Sequence, residues 1–176
     1  MPSYTFTEEL VSMNRKLALS FVLCLIAFNL LVAQSSPKAN TDKSKAASPW
    51  VGEWKLDLSQ STIHGPAPKQ ETLVVDEVSA ARIKYSITTT GETSKYSTDF
   101  EGKPDTAGDV LVDGKKAGSA TYHRVSAQEY TGKSTMGDNM GLDETITLSP
   151  DHKKITITIH AKGPQGEYDE TAVYTR

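Results

Sequence analysis

The sequence predicts an all-β domain, a single antiparallel up-and-down β-barrel of eight to ten strands over residues 50–176. Three observations carry this. Short segments alternate apolar and polar residues with period two, the signature of a strand with one buried face. Gly, Pro, Asn and Asp separate these segments at short intervals. No run of ten or more residues shows a helical apolar stripe. A meander of this length most economically closes on itself, because closure removes exposed sheet edges.

The first strand begins abruptly at Trp50. Trp50, Gly52, Trp54, Leu56 and Leu58 share one parity; Glu53, Lys55 and Asp57 share the other. Residues 59–68, SQSTIHGPAP, read as a loop from their Gly and two Pro. Strands follow at 71–78 (ETLVVDEV), 82–90 (RIKYSITTT) and 95–101 (KYSTDFE). Ile83, Tyr85 and Ile87 share a face, as do Tyr96, Thr98 and Phe100. A short strand at 109–112 precedes Asp113-Gly114, the best tight-hairpin signal in the chain. Further strands are read at 119–125, 129–135, 142–148, 154–162 and 168–174. In 154–162, Ile155, Ile157, Ile159 and Ala161 alternate with Thr156, Thr158, His160 and Lys162. Thr and Tyr suit such pleated, half-buried surfaces.

Ahead of the barrel, residues 17–33 (LALSFVLCLIAFNLLVA) form an uncharged apolar run after Asn14-Arg15-Lys16. A basic segment, an apolar core and a small, polar exit make a secretory signal peptide over 1–33, cleaved after Ala33. Glu8 and Glu9 suit an n-region poorly, so Met13 is the expected translation start. The rival reading is an uncleaved membrane anchor, since about 17 residues is the lower limit for a span. Residues 34–49, rich in Ser, Lys, Ala and Asn, are too polar to offset ordering entropy and read as a disordered linker. The expected location is secreted or periplasmic, with no transmembrane domain after cleavage.

The single cysteine, Cys24, lies inside the apolar run. Its loss with the signal would leave no thiol for catalysis, disulfides or metal. The 176-residue chain carries a net charge of −3, which gives no reason to expect a nucleic-acid partner.

Gly52-Glu53-Trp54 on the first strand resembles the Gly-x-Trp signature of lipocalins and their calycin relatives, the fatty-acid-binding proteins included. The closing Ala172-Val173-Tyr174-Thr175-Arg176 is similar to their last strand. Residues 50–176 also resemble small secreted proteins of soil acidobacteria, through GEWKLDLSQS at 52–61, GPAPKQ at 65–70, and Arg124-Val125-Ser126-Ala127. The resemblance implies a barrel with a cavity for small hydrophobic molecules. It also implies barrel closure by Gly52, Trp54 and Arg176, the Arg stacked on the indole. Fatty-acid-binding proteins carry a helix pair between strands one and two, and residues 59–68 are too short and broken for one. Their Arg–Tyr carboxylate clamp maps onto no definite positions, although Arg124 stands near Tyr122 and Tyr130 in sequence.

The sequence carries few chemical motifs. Residues 127–135, AQEYTGKST, nearly match a phosphate-binding loop, but Ala127 replaces the first Gly and a turn follows instead of a helix. Gly132 reads better as a glycine in an edge strand. His64, His123, His152 and His160 lack metal-ligand spacing; His64 sits near a possible barrel mouth, and His160 faces solvent. Glu167, Asp169 and Glu170, with Asp143 and Glu144, read as a solvated acidic face. No catalytic residue, metal site or cofactor is expected. The leading expectation is extracytoplasmic binding of a small, hydrophobic ligand, with contacts from Tyr85, Tyr96, Phe100, Tyr122 and Arg124. Alternatives are a structural or envelope-interaction protein with a side-chain-filled barrel, and an isomerase or cyclase, which needs a buried group of shifted pKa.

Overall fold

The computed structural model describes residues 48–137, 139–164 and 166–176. The expected signal peptide, its expected cleavage point, the expected Met13 start and all but the last two residues of the expected linker lie outside these.

Ten strands follow one another: β1 (Gly52–Leu56), β2 (Gln70–Val78), β3 (Ile83–Thr90), β4 (Lys95–Gly102), β5 (Gly108–Val112), β6 (Lys115–Arg124), β7 (Glu129–Met136), β8 (Met140–Leu148), β9 (Lys154–Gly163) and β10 (Gly166–Thr175). Each pairs antiparallel with its sequence neighbours, and β10 returns to β1, so the meander closes as a ten-stranded up-and-down barrel. The strand count, open in the sequence between eight and ten, is ten. β6 starts four residues earlier than its alternation indicates, because it grows directly from the hairpin. Asp113 and Gly114 form that hairpin with φ of 49° and 74°, the paired positive values of a type I′ turn.

Alternation places one residue of every pair inside. The core runs from Trp54 and Ile155, both essentially inaccessible, through Leu148, Phe100, Val110 and Ile83. These residues gather at one end of the barrel, where β1 begins and β10 finishes. Two bulges adjust the wall. One in β2, between Val75 and Glu77, lets Val78 turn inward at the strand's end. The other lies in the β5–β6 pairing, next to Val110 and Leu111.

The β1–β10 seam is short, with Lys55 opposite Thr175 and Leu56 opposite Tyr174. The segment after β1 lengthens it. The Asp57 N–H donates to the Val173 carbonyl at 2.7 Å, Ser61 Oγ accepts from the Val173 N–H at 2.9 Å, and Thr62 bridges Thr171. The expected loop at 59–68 thus runs its first residues along the sheet.

Candidate functional site

The barrel axis holds a cavity of about 280 Å³. Its floor is the end already described. The Trp54 indole donates to the Trp50 carbonyl at 3.0 Å, and the Arg176 guanidinium lies 3.7 Å above the Trp54 ring. Arg176 also donates to the Pro49 carbonyl at 2.6 Å. Gly52, with φ of 140°, sits beside that guanidinium. Stacking of Arg over indole contributes roughly 0.5–2 kcal/mol, so this end is both packed and latched.

The far end is where β3 leads into β4 and β7 into β8. Tyr96 lines the cavity there and is 41% exposed, so the lumen reaches solvent beside it. On the same rim, His64 stacks on Tyr168 with ring centroids 3.9 Å apart, and the Tyr168 hydroxyl meets Met140 Sδ at 3.7 Å. The 57–64 segment therefore packs along β10.

The walls are mainly aliphatic: Leu73, Val75, Ile87, Ile146, Ile157 and their neighbours. Two polar groupings interrupt them. In the first, the hydroxyls of Tyr85 and Tyr122 lie 2.6 Å apart, Tyr122 donates to Glu144 at 3.4 Å, and Ser134 donates to the other Glu144 oxygen. In the second, Glu71 accepts from Tyr174 at 2.5 Å and from Thr89 at 2.6 Å. A third carboxylate, Glu170, lines the cavity and accepts from the His64 backbone N–H at 3.2 Å. Every buried side-chain polar atom among the described residues has a partner.

Burial sets the electrostatics. Removal from water favours the neutral form of a buried acid. It pushes Glu144 above its ordinary value, against the pull of the hydrogen bonds from Ser134 and Tyr122. It raises Tyr85 and Tyr122, with the nearby Glu144 charge adding to the effect. It raises Tyr174 as well, reinforced by Glu71.

The residues named from sequence divide by depth. Tyr85 and Tyr122 stand in the cavity wall, and Tyr96 at its mouth. Phe100 points inward but belongs to the packed floor, 5.5 Å from the Tyr85 ring and 5.0 Å from that of Tyr122. Arg124 ends β6 on the outside; it is exposed and its Nε donates to the Ser126 carbonyl at 3.0 Å. Its parity matches Tyr122, yet it stands beyond the rim of the barrel. Gly132 is not in an edge strand, because β7 pairs with both β6 and β8. A Cβ there would come 2.6 Å from the Tyr122 ring, so glycine makes room for that ring in the lumen.

No family model matches the chain, and no curated protein matches it either.

The acidic residues correct the sequence reading most. Glu144 and Glu170 face the lumen, whereas Asp143, Glu167 and Asp169 are exposed. Glu71, on β2, also faces the lumen. All three stand on apolar parities: Glu144 with Leu142 and Ile146, Glu170 with Ala172 and Tyr174, Glu71 with Leu73 and Val75. A glutamate in phase with the core-facing residues was the available signal.

Proposed function

We propose that this barrel binds a small, largely apolar molecule noncovalently in its lumen, in an extracytoplasmic compartment. One observation carries the reading: side chains leave a cavity of about 280 Å³ between the packed floor and the mouth at Tyr96. That is near the lower end of the 300–1,000 Å³ typical of ligand sites, so the ligand is compact. Aliphatic walls supply affinity at roughly 25 cal/mol per Å² of apolar surface removed from water. A few convergent hydroxyls and carboxylates fix its orientation. The apolar run at 17–33 and the lack of cysteine in 34–176 support the compartment. Gly52-Glu53-Trp54 on β1, beneath Arg176, supports kinship with lipocalin-like barrels of the calycin group.

A second reading, proton-transfer catalysis on the bound molecule, is favoured by Glu144, a carboxyl of raised pKa hydrogen-bonded to Tyr122 and Ser134 in that cavity.

Native mass spectrometry of protein secreted by a bacterial host from the full-length chain, never denatured, tests the binding reading. The expected result is excess mass that organic extraction removes. A clean apo mass, unshifted by a panel of amines, lipids, haem and flavins, would replace it with the side-chain-filled structural barrel.

A further inference from the structure

Resting on the cavity as a ligand site, we infer that its ligand is an organic cation: an ammonium group carried on a compact apolar body. The inference comes from what faces the cavity. Three carboxylates line it, Glu71, Glu144 and Glu170, and no Lys, Arg or His stands among the described residues that line it. None of the ion pairs among the described residues includes any of the three. Their partners are neutral donors only: hydroxyls of Thr89, Tyr174, Ser134 and Tyr122, and the His64 backbone N–H.

This arrangement runs against the rule that buried charged groups are paired with a counter-charge. Cations are plentiful on the outside, where Lys84, Arg82, Lys133 and Lys162 all pair with exposed carboxylates. The lumen holds three carboxyl groups without a counterion, in surroundings where water screens poorly and where an entering cation favours their ionised form. An entering ammonium would supply the missing charge and donate to carboxylate oxygens. Its apolar body would meet the aliphatic wall, which Tyr85 and Tyr96 also line. The same field repels a carboxylate ligand, since like charges brought together without screening are strongly unfavourable. The fatty carboxylate that an Arg–Tyr clamp would hold is therefore the ligand this lumen disfavours.

A bare metal ion fits less well. No group of three or more His, Cys, Asp or Glu side chains among the described residues is placed to hold one. The carboxylates sit on separate walls, Glu71 on β2, Glu144 on β8 and Glu170 on β10, with apolar side chains in the same cavity.

The test is isothermal titration of the full-chain protein at neutral pH with three matched sets. Each set keeps one body (n-octyl, phenethyl or indolylethyl) and changes only the head group between amine, alcohol and carboxylate. In the set that binds best, the amine is expected to bind at least tenfold more tightly than its alcohol, with the carboxylate weakest. Glu71→Gln, Glu144→Gln and Glu170→Gln, which keep side-chain shape, are expected to shrink the amine-to-alcohol ratio. The ratio on the unaltered protein decides even if a variant fails to fold. An alcohol or carboxylate binding as tightly as its amine overturns the cation and leaves the cavity reading standing. Heats indistinguishable from buffer for all nine compounds overturn both.

Discussion

Leu142, Glu144, Ile146 and Leu148 share one face of β8, and that face looks into the barrel. Parity was legible in the sequence; the decision that a glutamate would obey it was not. A lone carboxylate among apolar residues costs so much in a dry core that solvent is the default assignment. The cavity changes the balance, because it gives Glu144 room beside Ser134 and Tyr122 hydroxyls. The consequence is a pH dependence with a definite sign. Glu144 titrates higher in the folded chain than in the unfolded one, where a glutamate sits near 4.3. Between those two values the native state holds a proton that the unfolded state has lost. Its contribution to stability is thus full below the unfolded pKa and is lost as pH rises through the folded one, with a slope of at most about 1.4 kcal/mol per pH unit. Ser134, Tyr122 and Tyr85 face the carboxyl, and Glu71 and Glu170 share its cavity. Comparison with Glu144→Gln isolates the one group from the others. Denaturant melts across mildly acidic to neutral pH are expected to show the wild-type curve falling relative to the variant. Parallel curves would mean that Glu144 is no more protonated when folded than when unfolded.

At the scale of elements, periodicity located the strands well, because a strand's faces are written directly in its alternation. Ile155, Ile157, Ile159 and Ala161 all line or pack the interior. The ends of strands were harder. Arg124 has the right parity but stands past the barrel rim, since parity fixes a face and says nothing of depth. Gly65, Pro66 and Pro68, which mark the 59–68 stretch as loop, describe only its second half. Its first half is tied to β10. Ser61 matters most there. Val173 is buried at 5% exposure, and its N–H has Ser61 Oγ as acceptor at 2.9 Å where β1 has already ended. Removing that oxygen leaves a buried donor unpaired, which costs roughly 1–3 kcal/mol. Ser61→Ala is expected to lower unfolding free energy by about that much, and to raise hydrogen exchange at the Val173 amide ahead of other β10 amides. A loss under about 0.3 kcal/mol would show that water replaces Ser61 without cost and that the seam is held elsewhere.

At the scale of the whole molecule, closure was inferable from economy, but fullness was not. A ten-stranded barrel is wider than an eight-stranded one, and diameter grows with strand number. The sequence left the count between those values, and with it the question of whether side chains could meet across the axis. The large inward residues do not distribute evenly. Trp54, Phe100 and Leu148 crowd the floor, while Thr98, Ser134 and Ala172 stand among the tyrosines and aliphatic residues of the lumen wall above it. That asymmetry leaves the space. It also supplies a discriminating substitution at Ala172, which is on the cavity wall and 5% exposed. In a filled barrel, Ala172→Leu forces extra methyl groups into packed surroundings and costs about 1–3 kcal/mol. In a barrel with an open lumen, the new side chain enters the cavity and buries its own apolar surface, at roughly 0.8 kcal/mol gained per CH₂. The expected outcome is stability unchanged or raised by about 1 kcal/mol, together with loss of ligand-dependent stabilisation, because leucine and ligand compete for one space. A destabilised variant that still gains melting temperature from the best-binding amine would place the ligand outside the lumen.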